Sequence, residues 1–526
     1  MPNDSEANES HRRFRIAGMP LSAIAFLILS ATITLIRSHY QLLWADEFGV
    51  LYTVSISSVA RYIHILLTNP VMFDPLVYSI LAHASICLFG AGAFAIRLPS
   101  MCGYLLMQVC LFYFVRKIAT ERAATFALAF PSLMGVASYA AQARPYGLLL
   151  GLSALAMLSW QTATRRDSRR TLALVGLSLS LAMAVNTQYY GVLLLIPFCA
   201  AETIRILDRR RVDIPVLLSL GAGMVGTLIL LPFTRALSPI HADFMNDVSY
   251  HFITHTYLWM MLGYFDLSVP MQYILPMQHI IGLVFAVLLV VLFCEFLRKR
   301  SSVTIPPPRA EAVFLVLLAA LPVLGYLLAH FVTKFMEGRY VLPAIIGVTA
   351  ILAILGAPLL HKKTIGRIVL VLLFVAIAVT GVLHIRSEIV QAQGTMASLD
   401  LTPETQRILA MFPGQPIYVA DGAVFLMLNY YSPSSDVRSR ITLIYSQDEE
   451  MLYQHSVHLS ITSANMRAYG VLNIVPYESV SRSGTDQLYL LYHNCYWTDQ
   501  ALSASHAQIT YLGQVYGGDL VSVRFP

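Results

Sequence analysis

The sequence predicts a polytopic α-helical membrane protein with about eleven transmembrane helices, juxtamembrane helices in the first outer loop and a C-terminal α/β soluble domain. Three observations support this prediction. Hydrophobic residues make up 57% of the 526-residue chain and charged residues only 12%, whereas soluble domains carry about 25% charge. Long apolar segments alternate with short clusters of Lys and Arg. From about residue 386 onward, short alternating runs replace the long apolar segments.

Apolar segments long enough to cross a bilayer recur through the first part of the chain, because about 20 apolar residues match the hydrocarbon thickness. We interpret the first of them as an uncleaved anchor, because its apolar run is long and no small-residue cleavage site follows. The predicted spans are 16–37, 98–116, 122–140, 145–163, 171–187, 190–207, 215–234, 279–297, 311–330, 340–359 and 365–385.

Basic clusters predict the orientation of these spans, since Lys and Arg concentrate in cytoplasmic loops of membrane proteins. Every second loop is basic, as at residues 209–211 and 298–300. This alternation requires that the apolar segment 73–90 does not cross but lies in or dips into the outer interface. The amphipathic stretch 48–67 is predicted to lie flat at the same surface. The net charge of +6 therefore reflects the loops and does not indicate a nucleic-acid partner.

Residues 1–385 are predicted to form a transmembrane domain, and residues 386–526 a periplasmic α/β domain. Alternating patterns predict strands at 416–419, 441–444, 488–492 and 520–523. Two further stretches, 404–412 and 447–455, are candidate helices. Roughly 140 residues are enough for a separate hydrophobic core. An odd number of spans places this domain on the outer side.

An acidic pair, Asp46 and Glu47, directly follows the first predicted span, beside the interfacial aromatic residue Trp44. A carboxylate at the mouth of a polytopic protein is well placed to act as a base on a lipid-linked substrate. Because adjacent residues point in different directions, we expect only one of the two to face reacting atoms. The other would orient it or hold a loop.

Three arginines, Arg97, Arg144 and Arg339, fall at outer ends of predicted spans, where the positive-inside rule makes them unusual. Snorkelling or a structural ion pair would account for any one of them. Their convergence on the side that holds Asp46 favours a phosphate site, since the planar guanidinium matches phosphate geometry. The pattern suggests a reaction on an anionic lipid head group that releases phosphate.

Two other motifs carry little functional weight. Residues 221–226 match G-x-G-x-x-G but lie inside an apolar span, so close helix packing explains them better than a dinucleotide. His251 and His255 have the spacing of two metal ligands on one helix face, near Asp243 and Asp247, but a clear third ligand is lacking. No cofactor is predicted, and a divalent metal stays possible without being indicated.

The same residues carry a family resemblance. The run 44–47 resembles the first-loop acidic motif of the GT-C glycosyltransferases, and the run 73–83 resembles their HPPLYYLLLH-type segment. The resemblance covers residues 1–385 and is to the bacterial branch related to protein O-mannosyltransferases and to the aminoarabinose transferases of lipid A. Other stretches similar to the family are 88–90, 97–100, 143–146, 188–191 and 339–340.

This resemblance implies an inverting glycosyltransferase that moves a sugar from a polyprenyl-phosphate donor to an acceptor hydroxyl at the outer membrane face. Asp46 would act as the base, and Arg144 and Arg339 would stabilise the departing lipid phosphate. The positions implied as catalytic are Asp46 and Glu47. The positions implied as substrate-binding are Asp74, Arg97, Arg144, Tyr146, Gln188, Tyr189, Arg339 and Tyr340.

The chain departs from the family pattern at two places. The usual His-Pro-Pro is replaced by residues 73–75, Phe-Asp-Pro, which lose the histidine and gain an acid. The acid that usually precedes Ala-Arg-Pro-Tyr is Gln142 here. Either change could reflect an unusual substrate.

The expected partners are a polyprenyl-phosphate sugar donor, membrane lipids, and a cell-envelope glycan, lipid or protein as acceptor. The expected location is the bacterial inner membrane. Two alternatives stay open. A non-enzymatic flippase or transporter would place polar sites near the bilayer midplane, often within inverted repeats, whereas these spans hold few central charges and show no internal repeat. A glycan polymerase or ligase would be chemically close to the main prediction. The sugar and the acceptor are not indicated.

Overall fold

Apolar helices of transmembrane length make up most of the first 400 residues in the computed structural model. The chain divides into two compact units, of which the first comprises residues 1–38, 97–228 and 247–385, and the second residues 39–96, 229–246 and 386–526. The structure describes residues 15–16, 18–56, 58–71, 76–165, 168–241, 249–262, 294, 307–480 and 486–526.

A short N-terminal hairpin, with strands β1 and β2, is followed by fifteen helices, α1 to α15, in the described residues up to 399. Short 3-10 and π segments interrupt or precede several of these helices. The strands are Arg15–Ile16 and Met19–Pro20, and the helices are, in order, Leu21–Tyr40, Ala45–Val54, Val59–Thr68, Leu76–Phe89, Ala93–Arg116, Glu121–Ala129, Tyr146–Thr164, Arg170–Val185, Leu195–Arg209, Ile214–His241, His251–Leu262, Arg309–Ala319, Leu321–Leu328, Ala344–His361 and Lys363–Leu399.

The positions of the predicted spans agree with these helices. In the described residues, seven helices are long and apolar enough to cross a membrane, and two bent helix pairs raise the number to nine. The predicted span 171–187 corresponds to α8, an apolar helix of 16 residues. The predicted span 279–297 lies outside the described residues. The protein is thus a multi-pass membrane protein, as its composition predicts.

Two predicted spans are bent rather than straight. The helix pair Glu121–Leu133 and Gly135–Ala141 bends by 75°, and the pair Arg309–Ala319 and Leu321–Thr333 bends by 56°. A proline lies close to each break, Pro131 in the first pair and Pro322 in the second. Proline lacks the N–H that a continuous helix needs and therefore breaks or kinks it.

The last predicted span also ends later than expected. The sequence placed its end at residue 385, whereas α15 runs from Lys363 to Leu399 without interruption. Its 37 residues would be about 55 Å long at 1.5 Å per residue, well beyond the hydrocarbon thickness of about 30 Å. Residues 386–399 are polar but contain no proline, so nothing in their backbone stops the helix.

Glycines allow helices α5 and α7 to approach each other closely in the first unit. A Cβ atom added at Gly147 would lie 2.5 Å from the carbonyl oxygen of Ser100, and Gly103 and Gly151 also face backbone atoms of the opposite helix. The glycine run 221–226 behaves similarly, since Gly223 lies against Leu181 on α8. Its interpretation as a helix-packing motif is therefore confirmed.

We expect Gly147→Ala to destabilise the protein by about 1–3 kcal/mol, because the added methyl group would overpack a contact between two backbones. Gly221→Ala is the matched control, since a Cβ atom at Gly221 would meet nothing within 4 Å. The melting temperature of each purified variant in detergent measures the effect. Equal melting temperatures for the two variants would contradict the close approach of α5 and α7.

The C-terminal residues of the second unit form a mixed α/β fold around a six-stranded sheet. The order of strands in the sheet is β5-β4-β3-β6-β8-β7. The four strands β3, β4, β5 and β6 are parallel to one another, and β8 is antiparallel to its neighbours β6 and β7. The strands β3 to β8 are Ile417–Val419, Ile441–Tyr445, Ile474–Pro476, Gln487–Leu491, Gln508–Val515 and Gly518–Arg524, and the helices α16 to α21 are Pro403–Ala410, Gly422–Tyr431, Ser435–Arg440, Gln447–Gln454, His458–Arg467 and Trp497–Ala504.

All four predicted strands are confirmed, as are the two candidate helices, each within a few residues. Strands β5 and β7 and four helices were not predicted. One core cluster on this sheet contains Tyr489, Trp497 and Leu502, all of which are almost fully buried. This part of the chain therefore has its own hydrophobic core.

Residues from the first predicted outer loop pack with the C-terminal residues in the second unit. The backbone N–H of Leu43 donates to the hydroxyl of Tyr431 at 2.9 Å. The hydroxyl of Thr53 donates to that of Tyr469 at 3.3 Å, and the amide of Asn465 donates to the carbonyl of Pro70 at 2.8 Å. The second unit thus combines segments that are distant in sequence.

The predicted topology can be tested with two exposed positions in a background whose six cysteines are replaced by alanine. We expect a membrane-impermeant maleimide to label Met451→Cys in intact cells, because span parity places the C-terminal domain outside and Met451 is 47% exposed. Lys363→Cys should react only after the cells are permeabilised, since its basic cluster predicts a cytoplasmic position. Labelling with the opposite pattern would reverse the proposed orientation.

Candidate active site

The acidic pair Asp46 and Glu47 lies in the first turn of α2, in the second unit. Glu47 is 1% exposed, and its Oε2 atom accepts a hydrogen bond from the backbone N–H of Trp44 at 3.4 Å. It thereby caps the N-terminal end of the helix. Asp46 is partly exposed at the same helix end. A negative charge at this end of a helix interacts favourably with the helix dipole. This interaction alone would be a structural explanation for Asp46.

Arg144 lies just before α7, in the first unit, and is 7% exposed. Its Nη2 atom donates to the hydroxyl of Tyr146 at 3.3 Å, and its guanidinium carbon lies 5.5 Å from the centroid of the same ring. The hydroxyl of Ser100 donates to the carbonyl oxygen of Arg144. A side-chain contact and a backbone contact therefore fix the position of this arginine.

Arg339 and Tyr340 lie in a 3-10 turn, Gly338–Val341, that precedes α14 in the same unit. Arg339 lies within electrostatic range of Tyr146 and Tyr340, and Tyr340 lies within that range of both Arg339 and Arg144. Two arginines that are distant in sequence thus lie near the same two tyrosines.

The Nε atom of Arg339 is buried and has no hydrogen-bond partner within the described part of the chain. Burial of a guanidinium N–H without a hydrogen-bond partner costs free energy, so an unsatisfied donor of this kind suggests that a ligand binds beside it. The planar guanidinium carries five donors and binds phosphate through two parallel hydrogen bonds. The arrangement of Arg144, Arg339 and the tyrosine hydroxyls is suited to an anion.

An aromatic group not identified from the sequence packs on one side of Tyr146. The ring of Tyr139 lies 5.0 Å from that of Tyr146 and 5.5 Å from that of Trp259, in edge-to-face geometry. Tyr139 belongs to the same stretch of the sequence as Arg144, so its position near Arg144 could have been predicted from the sequence. Trp259 lies in α11, and no motif marked it.

Tyr190 is a second residue that the sequence analysis missed. Its ring lies 5.3 Å from that of Tyr340, and its hydroxyl is 2.6 Å from that of Thr333 and donates to the carbonyl of Phe335 at 2.5 Å. The sequence analysis recognised the motif 188–191 but selected Gln188 and Tyr189 from it as binding residues. Tyr190 is the member that contacts the arginine–tyrosine cluster formed by Arg144, Tyr146, Arg339 and Tyr340.

The other predicted binding residues have different surroundings. Arg97 is fully buried, and its Nη1 atom donates to the carbonyl of Ser38 near the end of α1 at 2.7 Å. The side-chain oxygen of Gln188 accepts from the backbone N–H of Tyr189 at 2.6 Å and so begins a 3-10 turn. Each of these hydrogen bonds attaches a side chain to the backbone. Asp74 lies outside the described residues.

The histidines considered as metal ligands lie on α11. In the residues that the structure describes, no group of three or more His, Cys, Asp or Glu side chains could hold a metal ion. Asp243 and Asp247 lie outside that part of the chain. His251 and His255 therefore gain no third ligand from the described side chains.

Comparison with known proteins relates this arrangement to a family and a fold. Residues 74–234 match the family model described as dolichyl-phosphate-mannose-protein mannosyltransferase, a segment that includes Arg144 and Tyr146. No curated protein sequence matches the chain.

Three solved structures are similar. ArnT from Cupriavidus metallidurans bound to undecaprenyl phosphate is 14% identical, with a TM-score of 0.55 over 95% of this chain and 97% of that one. ArnT in the apo state is 12% identical, with the same score and coverage. The oligosaccharyltransferase AglB from Archaeoglobus fulgidus, in complex with an inhibitory peptide and a dolichol-phosphate, is 10% identical, with a TM-score of 0.42 over 91% of this chain and 71% of that one. The family model confirms the resemblance seen in the sequence over residues 74–234, and the chain has the fold of the C. metallidurans ArnT.

Proposed function

We propose that this protein is a glycosyltransferase that moves a sugar from a polyprenyl-phosphate donor to an acceptor hydroxyl. The observation that carries the proposal is that Arg144 and Arg339 lie near the same two tyrosines, Tyr146 and Tyr340. Two neighbouring guanidinium groups, one on a buried and one on a half-buried residue, are suited to the phosphate of a lipid carrier. A protein with the same fold, the C. metallidurans ArnT, has been crystallised with undecaprenyl phosphate.

The proposed reaction is a single displacement. The carboxylate of Asp46 accepts the proton of the acceptor hydroxyl while that oxygen forms a bond to the anomeric carbon. The bond between the anomeric carbon and the phosphate oxygen breaks, and its electron pair leaves with the polyprenyl phosphate. Arg144 and Arg339 stabilise the charge that develops on this phosphate. One displacement inverts the anomeric configuration.

The choice of Asp46 over Glu47 rests on their surroundings within α2. Glu47 is almost fully buried and holds the N-terminal end of the helix, whereas Asp46 is partly exposed. A base must reach the acceptor hydroxyl, which requires access from outside the helix packing. Glu47 is then a positioning residue that fixes the helix on which Asp46 stands.

The proposed setting is the outer face of a bacterial inner membrane, with residues 386–526 in the periplasm. The acceptor is a glycan, lipid or protein of the cell envelope. Span parity supports this orientation, because the basic loops place the opposite ends of the spans in the cytoplasm. The C-terminal residues and residues 39–96 belong to one unit, so Asp46 is part of the same unit as this domain.

The function is tested with purified protein in liposomes that contain radiolabelled polyprenyl-phosphate sugars and a membrane extract as the acceptor source. Thin-layer chromatography should show loss of label from the polyprenyl carrier and its appearance in a new product. Chelator added to a parallel sample determines whether a divalent metal is needed. Label that crosses the bilayer while still attached to its carrier would instead identify a transporter, and label that stays in place would contradict both functions.

A further inference from the structure

A groove of about 400 Å³ opens on the first unit between the helices α1, α6 and α15. Its size lies within the range of small-molecule sites. None of the residues of the arginine–tyrosine cluster lines it. The lining residues are Pro20, Ser22, Ala25, Phe26, Glu121, Arg122, Thr125, Arg367, Leu370, Val371, Phe374 and Val375.

The groove changes from charged to apolar along α15. Arg367 comes first, and Leu370, Val371, Phe374 and Val375 follow at the spacing of a single helix face. These residues cover about 12 Å of the helix axis. Across the groove, the ring of Phe26 on α1 lies 5.4 Å from that of Phe374 in edge-to-face contact. The groove thus has one polar end and an apolar channel.

The charged end holds two arginines and one carboxylate. The Nη1 atom of Arg122 donates to the carbonyl oxygens of Leu360 and His361 at 3.3 and 2.9 Å, which fixes the guanidinium at the end of α14. A guanidinium has five donors, so these contacts leave others for a second partner. Arg367 is exposed, and Glu121 offsets one of the two positive charges. The end of the groove is net positive.

We propose that this groove binds an anionic phospholipid of the bilayer. The head-group phosphate lies between Arg122 and Arg367, and an acyl chain lies along Leu370, Val371 and Val375. Charge complementarity and the polar-to-apolar gradient favour this occupant, because basic pockets between transmembrane helices bind anionic head groups. The groove lies at the helix ends that the basic clusters predict as cytoplasmic, where anionic lipids attract arginine. The proposal does not depend on the glycosyltransferase function.

The test uses full-length protein delipidated in detergent and offered equal amounts of dioleoyl phosphatidylglycerol and dioleoyl phosphatidylcholine. Native mass spectrometry then measures the ratio of the two bound lipids. We expect phosphatidylglycerol to be preferred by on the order of five- to tenfold, as one net positive charge at a membrane surface implies. Arg367→Ala should abolish this preference. Lys362→Ala, which removes an equal charge from an exposed residue outside the groove, should retain it.

A second variant fills the groove and leaves its charge unchanged. Ala25 is partly exposed on α1, so Ala25→Phe should be tolerated by the fold while occupying the apolar channel. We expect this variant to lose the tightly bound phosphatidylglycerol and to keep its far-UV circular dichroism spectrum. Equal binding of the two lipids by the parent protein would overturn the proposal. The proposal would also be overturned if the Arg367→Ala variant kept the lipid ratio of the parent protein. The same holds if the Ala25→Phe variant bound as much phosphatidylglycerol as the parent protein.

Discussion

Asp46→Asn is expected to lower the rate of sugar transfer by about 10²–10⁴-fold, the usual contribution of a general base. Asparagine has nearly the same shape as aspartate but cannot accept the proton of the acceptor hydroxyl. Donor binding and folding should change little, because Asp46 is partly exposed and the substitution keeps the size of the side chain. Initial rates in liposomes, together with separate measurement of donor binding, distinguish the two effects.

Glu47→Gln is the matched control, because it removes a charge from the adjacent residue. Glutamine keeps an oxygen that can accept from the backbone N–H of Trp44, so the start of α2 should persist. We expect this variant to transfer sugar at close to the parent rate per folded molecule. If the Asp46→Asn variant were fully active and the separate Glu47→Gln variant were inactive, the base would be Glu47 rather than Asp46. Full activity in both variants would leave Asp74 as the candidate.

Apolar length and periodicity were sufficient to predict the helices of transmembrane length in the described residues and four of the six strands of the C-terminal sheet. Long apolar segments and alternating runs reflect burial in lipid or in a sheet, which is a property of each segment alone. The bends near Pro131 and Pro322 were missed, although proline is a strong local signal, because mean hydropathy does not register a missing backbone donor. Strand β5 was also missed, since Ile474–Pro476 is too short for a pattern of period two to be recognised.

The roles of individual polar residues were harder to predict, because they depend on contacts between distant segments. Glu47 carried no sequence signal of a cap, since its N-cap residue is Trp44 rather than Ser or Thr. Arg97 was grouped with the outer arginines, and only the fold reveals its contact with the carbonyl of Ser38. The proximity of Arg144 and Arg339, by contrast, followed from span parity, which brings separate loops to one membrane face.

Arg144→Lys combined with Arg339→Lys is expected to cost about 2–4 kcal/mol of transition-state stabilisation. This loss corresponds to a fall in kcat/KM of roughly 30- to 1,000-fold. Lysine keeps the positive charge but cannot reproduce the planar fork that binds two phosphate oxygens together. We expect a lower kcat because the interaction strengthens as charge develops on the leaving phosphate.

Arg165→Lys provides a control at the end of α7 that the basic clusters predict as cytoplasmic. Arg165 binds Glu311 through two nitrogens, with Nη2 at 2.9 Å and Nε at 3.1 Å from the Oε1 atom. The same substitution there should weaken a bidentate ion pair and lower the melting temperature. Turnover per folded molecule should stay at the parent level, since this pair has no role in the proposed reaction.

A structural role and a phosphate-binding role of the arginine–tyrosine cluster predict different effects of substitution. The first predicts a loss of stability, and the second a loss of turnover. Arg144 lies over the ring of Tyr146 and donates to its hydroxyl, so a purely structural role is physically reasonable. That role predicts a lower melting temperature and normal activity in the molecules that remain folded, as for Arg165→Lys. The phosphate clamp predicts a folded protein with low kcat. Because Arg339 has a buried donor atom that the described residues leave unsatisfied, its substitution should affect turnover more than stability. A folded and fully active double variant would exclude the clamp.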